Sequence, residues 1–530
     1  MSVTCTEIRT GLEGKGIAPP NPAPAVATEI RALARASSHY LAGLLGKFGI
    51  GFISLPIFTR IFSIADYGLI DLAGKILLLL TALSKMGLQN SALRFFNGQT
   101  FSTDRTAERR YYSTMFYGAL ATSSLTAAAF LGVVHVLPAS WLDAPLASLF
   151  GFVAVLLILR AMGSMLYSFL RIEEKTKAYN IWLVVGKAAI LVAVCLSLPL
   201  VGRTARAFYW GSTAAELGVA AILTFFLLRR HVLKLSSCDF GLFWAGLLFG
   251  APLILYEVST ILLDTAGRFL VRHYLGAESL GLYSVAYGLA AQTNDLLIFP
   301  LNLAILPIYL RLWRTRGATA TIRFLSACLE LFLMAAACVC AIATVTARDG
   351  IVFLASQKYH DAARLMPIIV VGLLIYTTHV FLCAGLLIQK KTGTMALVLL
   401  GSAIVNVAIN CWLLPKIGLM AAALGTLISY AVCISLLAWV SQKYLPLRMP
   451  LYSLTKYVLA AVLAIGIGLT IDLRPIVLNL AVRSGVTALV YAAVLCALEP
   501  RVRRAVGSIW RQRGSSAGFV EAGTQLLSES

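Results

Sequence analysis

The sequence predicts an all-α polytopic membrane protein with about 14 transmembrane helices, arranged as two pseudo-symmetric lobes around a central cavity. Hydrophobic residues make up 59% of the chain and charged residues only 13%, against about 25% charged residues in a soluble domain. A mean hydropathy of +0.85 over 530 residues exceeds what a single soluble core explains, because such cores stop growing near ~250–300 residues. These observations exclude a large soluble enzyme and a disordered or fibrous chain.

The elements follow in order along the chain. Residues 1–36 are polar and contain prolines without an apolar core segment, which predicts a disordered cytoplasmic tail and not a signal peptide. Each later apolar segment reaches the ~20 residues that one membrane crossing needs. The predicted spans are 38–62, 67–92, 112–136, 146–168, 179–200, 207–228, 243–266, 281–306, 322–345, 365–388, 394–413, 418–440, 452–471 and 475–497. The predicted domains are an N-terminal lobe at 37–235 (helices 1–6), a C-terminal lobe at 236–441 (helices 7–12), helices 13–14 at 442–498, and a basic, then Ser/Gly-rich cytoplasmic tail at 499–530.

The net charge of +21 comes from 44 Lys and Arg against 23 Asp and Glu. With the N-terminus in the cytoplasm, the inside loops and tails hold about three times as many Lys and Arg as the outside loops. Cytoplasmic loops collect cations, so we expect a multi-pass protein with both termini cytoplasmic. The basic excess then needs no nucleic acid partner.

A weak internal repeat relates the two halves. Gly68–Ala73 (GLIDLA) in helix 2 matches Gly281–Ala286 (GLYSVA) in helix 8 at an offset of 213 residues. Because helices 2 and 8 run in the same direction, the repeat is parallel. Transporters are often built from two such halves with the binding site between them.

Polar residues inside the predicted spans form narrow stripes when placed at ~100° per residue. The stripes hold Lys47 on helix 1; Asp71, Lys75, Lys85 and Gln89 on helix 2; Lys187 on helix 5; Glu257, Asp264 and Arg268 on helix 7; and Gln292 and Asp295 on helix 8. A charge at the bilayer centre costs ~2.5–3.5 kcal/mol, so such stripes predict a water-filled cavity lined by both halves. Cations come mainly from the first half and carboxylates from the second.

Simpler explanations stay open for some of these residues. Asp71 and Lys75 stand at i and i+4 and would neutralise each other on one helix. Lys85 lies close enough to the cytoplasmic face to snorkel, and Arg268 lies near an outer helix end.

Several catalytic signals are absent from the sequence. The chain has no P-loop, no H-E-x-x-H and no C-x-x-C pair. The ten cysteines lie mostly inside apolar runs, where small hydrophobic residues pack. We therefore expect a membrane transporter and not an enzyme, with no metal site and no cofactor other than a coupling proton or Na⁺.

The first predicted helices carry Pro…Thr-Arg, Tyr-Gly and Arg-aromatic motifs at Pro56, Thr59-Arg60, Tyr67-Gly68 and Arg94-Phe95. In these motifs the chain resembles the bacterial polysaccharide-biosynthesis flippases, which belong to the superfamily of multidrug and oligosaccharidyl-lipid exporters. Further similar segments are 268–290, 306–313, 358–372 and 410–430. The acidic residue that often precedes the helix-7 arginine is Gly267 here, and Asp264 is the nearest acid on that helix.

This resemblance implies a flippase of the bacterial inner membrane that moves an undecaprenyl-diphosphate-linked oligosaccharide by alternating access. The product would feed O-antigen, capsule or exopolysaccharide synthesis, with membrane lipids and possible polymerase and chain-length regulator proteins as partners. Lys47, Lys75, Lys85, Lys187 and Arg268 are the candidate cations for the diphosphate-sugar headgroup. Asp71, Glu257, Asp264 and Asp295 are the candidates for the coupling ion.

Three alternatives remain. A multidrug or cation antiporter of the related branch would favour an acidic cavity. A glycan polymerase would need a large outer catalytic loop, and no outside loop exceeds about 20 residues. A solute symporter is a further transporter class.

Overall fold

A computed structural model describes Gly46 and residues 49–96, 104–136, 144–231, 233–500 and 502–503, and this part of the chain is helical without a β-strand. For residues 299–300 and 302–304 the structure describes the backbone only. The predicted N-terminal tail, Lys47 and nearly all of the predicted C-terminal tail lie outside the described residues.

The helices are labelled in chain order. They are α1 (Gly49–Ile61), α2 (Ile64–Phe95), α3 (Arg105–Val136), α4 (Ala144–Ile172), α5 (Thr176–Val201), α6 (Ala205–Arg230), α7 (240–275), α8 (277–316), α9 (318–354), α10 (Met366–Leu382), α11 (Thr392–Ile417), α12 (Met420–Ser441), α13 (Leu451–Leu469) and α14 (Ile476–Leu498). A 3₁₀ helix, Gln357–Arg364, precedes α10.

In the middle of the chain, two helices end at glycines. The run Phe240–Leu354 is helical throughout except at Gly276 and Gly317, whose φ angles are 83° and 75°. Glycine adopts positive φ without the penalty that a Cβ brings, so these residues separate α7, α8 and α9. The sequence predicted loops there because its apolar spans end earlier. The helices in fact continue through the polar flanks up to the glycines.

Fewer helices qualify as membrane crossings than the fourteen that are labelled. Among the described residues, 11 helical stretches are long and apolar enough to cross a membrane, or 12 if Gln357–Arg364 and Met366–Leu382 form one bent span. The helix α1, Gly49–Ile61, is shorter than a span over its described part. An all-helical membrane fold is confirmed, whereas the count of 14 spans and the predicted domain boundaries stay predictions.

The helices group into two halves that meet along α2. Helices α2–α6 pack against one another, as do α7–α12, and α2 packs against the α7–α9 run. A Cβ on Gly68 would lie 2.7 Å from the amide nitrogen of Gly281, and one on Gly281 would overlap the carbonyl oxygen of Ile64. Glycine at both repeat positions therefore lets the two backbones touch.

The last two helices dock on the outside of the second half. Arg483 of α14 donates a 2.8 Å hydrogen bond to Asp349 of α9, and Asn479 donates one of 2.9 Å to the same carboxylate oxygen. Tyr491 donates a 2.8 Å bond to the carbonyl oxygen of Met334. These polar contacts hold α14 against α9.

A candidate substrate site between the two halves

The candidate site lies on a seam where α2 of the first half packs antiparallel on α7 of the second half. The two helices begin their contact at Gly87 and Gly250, where a Cβ on either residue would overlap the other backbone. Beside them, Ser91 donates a 2.7 Å hydrogen bond to the carbonyl oxygen of Gly246. Small residues at this end bring the helix axes close, so charged side chains further along can reach across.

Arg268 forms the most buried part of the seam, with only 2% of its side chain exposed. Its Nε donates a 2.9 Å hydrogen bond to Asp71 Oδ2, and its Nη1 lies 3.6 Å from Asp264 Oδ2. The guanidinium also stands 4.2 Å from the ring centroid of Tyr287. Two carboxylates and an aromatic face thus surround one cation, which a buried charge requires.

Lys75 forms the second pair, one turn along α2. Its Nζ lies 2.6 Å from Asp264 Oδ2. Tyr287 donates a hydrogen bond to the other oxygen of Asp264, and its hydroxyl lies 2.8 Å from that of Tyr430 on α12. Asp264 therefore connects both halves to the tyrosines of the second half.

Lys85 forms the third pair, with its Nζ 2.9 Å from Glu257 Oε1. Glu257 is the most exposed member, at 36% of its side chain, while Lys85 is 16% exposed. Along the seam the residue number rises on α2 as it falls on α7, as antiparallel packing demands. The three pairs together are called the seam pairs: Asp71–Arg268, Lys75–Asp264 and Lys85–Glu257.

The structure thus brings six of the predicted site residues together. Cations predicted to bind substrate are partners of carboxylates predicted to bind a coupling ion. Asp71 and Lys75, which the sequence allowed as neighbours on one helix, each reach a partner on α7 instead. Arg268 is buried and paired, so its position near a helix end does not make it interfacial.

The other predicted residues lie elsewhere. Lys187 is on α5, where it lines a cavity inside the first half. Asp295 is an exposed residue on α8, two turns beyond Tyr287. Lys47 falls outside the described residues.

Gly267, the residue before Arg268, packs against α11. A Cβ on Gly267 would stand 3.4 Å from Asn406 Oδ1 and 3.5 Å from Asn410 Nδ2. Asn406 and Asn410 are buried and bonded to each other, as interhelical polar residues in membranes often are. With glycine at 267, Asp71 from the other half supplies a carboxylate to Arg268.

Sequence reasoning missed the polar face of α4. Arg160 makes a two-pronged pair with Glu216 of α6, at 3.0 Å from Nε and 2.9 Å from Nη2. Arg160 and Arg171 stand 11 residues apart, which is three turns on one helix face. That spacing was the available signal, and Ser164 lies between them on the same face.

The seam pairs bring three cations and three carboxylates together between the two halves. Among the described residues, no group of three His, Cys, Asp or Glu side chains is placed to hold a metal ion. Three cations next to three carboxylates can instead accept an anion in place of the carboxylates, or a proton or cation on the carboxylates.

Comparison with solved structures shows which proteins share this fold. The inward-closed conformation of the lipid II flippase MurJ superposes with a TM-score of 0.67 at 13% identity, over 87% of this chain and 98% of MurJ. An inward-facing multidrug resistance MATE family transporter of the MOP superfamily gives a TM-score of 0.55 at 13% identity, over 74% and 97%. An outward-facing MATE transporter of that superfamily gives 0.54 at 13% identity, over 78% and 95%.

These neighbours agree with the expectation of a membrane transporter fold. No curated protein sequence matches the chain. A sequence profile of the polysaccharide biosynthesis protein family matches residues 57–364, which includes all six residues of the seam pairs. The match covers more than half of the chain, and the protein therefore belongs to the polysaccharide biosynthesis protein family.

Proposed function

We propose that the protein translocates a polyprenyl-diphosphate-linked oligosaccharide across the bacterial inner membrane, from the cytoplasmic to the outer leaflet, by alternating access. Membership of the polysaccharide biosynthesis family supports this function. The product serves a surface polysaccharide such as O-antigen, capsule or exopolysaccharide. Both termini are cytoplasmic, and a glycan polymerase and a chain-length regulator are proposed partners.

The observation that carries the proposal is a set of three cations held between the two halves. Lys75, Lys85 and Arg268 each pair with a carboxylate of the opposite half. Phosphate oxygens form charge-assisted hydrogen bonds with Lys and Arg. A diphosphate that enters the seam replaces the carboxylates as the partner of these cations. The lipid tail stays in hydrocarbon while the headgroup crosses.

The displaced carboxylates supply a route to coupling. An unpaired Asp264 or Glu257 inside the membrane costs several kcal/mol (about 2.5–3.5 on insertion scales), which binding of a proton or Na⁺ offsets. Asp71 and Asp295 remain further candidates for that ion. Membrane potential adds a driving force of ~2.3 kcal/mol per charge per 100 mV for an anion that moves outward.

A complementation experiment tests the function. A strain that lacks the gene and its surface glycan receives the wild-type chain, Lys75→Ala, Lys85→Ala or Lys187→Ala, with Lys47→Ala as a fourth variant. We expect loss of surface glycan in the Lys75 and Lys85 variants at unchanged protein levels in the membrane. Lys177→Gln, an exposed lysine in the first turn of α5, is the matched control and keeps the glycan. Full glycan in both seam variants contradicts the proposal.

A cation or multidrug antiporter is the second candidate, because Asp71, Glu257 and Asp264 would suit a cationic substrate. Each of these carboxylates, however, already contacts a Lys or Arg. Rescue of drug resistance in a pump-deleted strain, with no glycan phenotype, would favour the antiporter.

A further inference from the structure

A cavity lies inside the first half, beside the end of the seam that holds Lys85. It has a volume of about 400 Å³ and is walled by α4, α5 and α6, with Gln89 of α2 at one side. Its charged lining residues are Arg160, Arg171, Lys187 and Glu216. We call it the first-half cavity.

Its lining is basic. Arg160, Arg171 and Lys187 face one carboxylate, Glu216, which gives the lining a formal charge of +2. The pair between Arg160 and Glu216 fixes both side chains, since Glu216 is 15% exposed and Arg160 35%. Arg171 and Lys187 are exposed on facing helices, so they can approach an anionic group from two sides.

One residue of the lining, Gln89, has an acceptor atom that lacks a hydrogen-bond donor in the described part of the chain. The Oε1 atom of Gln89 is buried and has no hydrogen-bond partner among the described residues. An amide oxygen accepts hydrogen bonds and donates none. A fully ionised diphosphate has no O–H to offer it, whereas a sugar has several hydroxyls. The cavity therefore suits a ligand that carries both an anionic group and hydroxyls.

The first-half cavity has the length of an extended ligand and aromatic side chains that can pack against a sugar ring. Arg160 and Arg171 are separated by three turns, or about 16 Å along α4. Between them Tyr167 and Tyr179 stand edge to face at 5.8 Å between ring centroids. Aromatic side chains with a few placed polar groups are typical of small-molecule sites.

The first-half cavity adjoins the seam through α2. Gln89 lies one turn beyond Lys85, and Met86 and Gly87 bend the helix between them with positive φ angles of 43° and 69°. A headgroup whose diphosphate contacts Lys85 would thus place its first sugars next to Gln89.

We propose that the first-half cavity binds an acidic sugar of the lipid-linked glycan, with its carboxylate on Arg171 and Lys187 and a hydroxyl on Gln89. This inference rests on the proposed function and adds a substrate class to it: glycans with a uronic acid or similar acidic sugar near the diphosphate.

Binding to the purified full-length protein in detergent tests it by titration calorimetry. The probes are a glucuronic acid-containing disaccharide, the methyl ester of that disaccharide, and inorganic pyrophosphate. We expect the acid to bind at least about tenfold more tightly than the ester. Arg171→Gln and Lys187→Gln should remove that preference, Gln89→Leu should weaken both sugars, and the control Lys177→Gln should behave as wild type. Pyrophosphate affinity should fall in Lys75→Gln and Lys85→Gln but not in the Arg171 and Lys187 variants.

Three results would overturn the assignment: equal binding of acid and ester, an unchanged preference in the Arg171 and Lys187 variants, or pyrophosphate binding that depends on Arg171 and Lys187. The last would make the cavity a diphosphate site. Translocation of a lipid-linked glycan is measured separately in proteoliposomes. A failure there, with the acid preference intact, would reject the proposed function and leave the sugar site standing.

Discussion

Ser284 Oγ donates a 2.7 Å hydrogen bond to Asp71 Oδ2, and the two residues occupy the same position of the two repeats, 213 residues apart. Residues at equivalent positions touch only where a two-fold axis passes between them. Gly68 and Gly281, also 213 apart, meet in the same way. The pseudo-symmetry axis therefore passes between α2 and α8, next to the buried Arg268. The seam pairs therefore lie beside this axis, where the proposed alternating-access mechanism would move the two halves against each other.

The glycine contact at the axis predicts a large effect of a single methyl group. Gly281→Ala would place a Cβ against the carbonyl oxygen of Ile64, and Gly68→Ala one within 2.7 Å of the carbonyl oxygen of Ala277. Overpacking of this kind costs about 1–3 kcal/mol. We expect a lower midpoint of thermal unfolding in detergent for both variants. Gly74→Ala is the matched control on α2, because its Cβ would lie 3.6 Å from Tyr209. Equal midpoints for Gly74→Ala and Gly281→Ala would contradict the close contact.

Arg268 is expected to be the most sensitive residue of the seam. Arg268→Gln leaves Asp71 and Asp264 without their shared partner, and removal of one member of a buried pair costs about 3–5 kcal/mol. Asp71→Asn should cost less, since Asp264 still contacts Arg268. The free energy of unfolding in mixed micelles measures both. A smaller loss in Arg268→Gln than in Asp71→Asn would show that the arginine is not the centre of the cluster.

The pair between Lys85 and Glu257 is open to a double-mutant cycle. Lys85→Gln and Glu257→Gln should each destabilise the protein, and the double variant should lose less than the two together. A hydrogen bond to a charged group contributes about 1.5–3 kcal/mol, and partial exposure of Glu257 places the coupling at the lower end. The same cycle on surface glycan should separate stability from transport. A coupling energy of zero would mean that the two residues act independently.

Arg483 should hold α14 on the second half. Arg483→Ala removes the bond to Asp349 and another, of 2.7 Å, to the carbonyl oxygen of Ile471. We expect a loss of about 1–3 kcal/mol and faster proteolysis between α13 and α14. Arg474→Ala changes an exposed arginine before α14 and serves as control. If both variants are cleaved at the same rate, Arg483 does not secure the helix.

Local sequence patterns were sufficient to predict the class of fold and the six charged residues of the seam. Apolar length marked the membrane helices, and helical periodicity placed Asp71, Lys75 and Lys85 on one face of α2 and Glu257, Asp264 and Arg268 on one face of α7. Both inferences depend only on local geometry, which every α-helix shares. The repeat, too, was readable as Gly68–Ala73 and Gly281–Ala286.

Which cation pairs with which carboxylate depends on how the helices pack. The spacing of residues along the sequence determines which of them share a helix face. The helix that packs on this face depends on how closely the two backbones can approach. Gly87 and Gly250 bring α2 and α7 into contact, so Lys75 reaches Asp264 on the other half and not Asp71 one turn away. The cavity of α4–α6 likewise needed helices distant in sequence, because Arg160 and Glu216 are 56 residues apart. Contacts between separate helices depend on packing, which no single segment encodes.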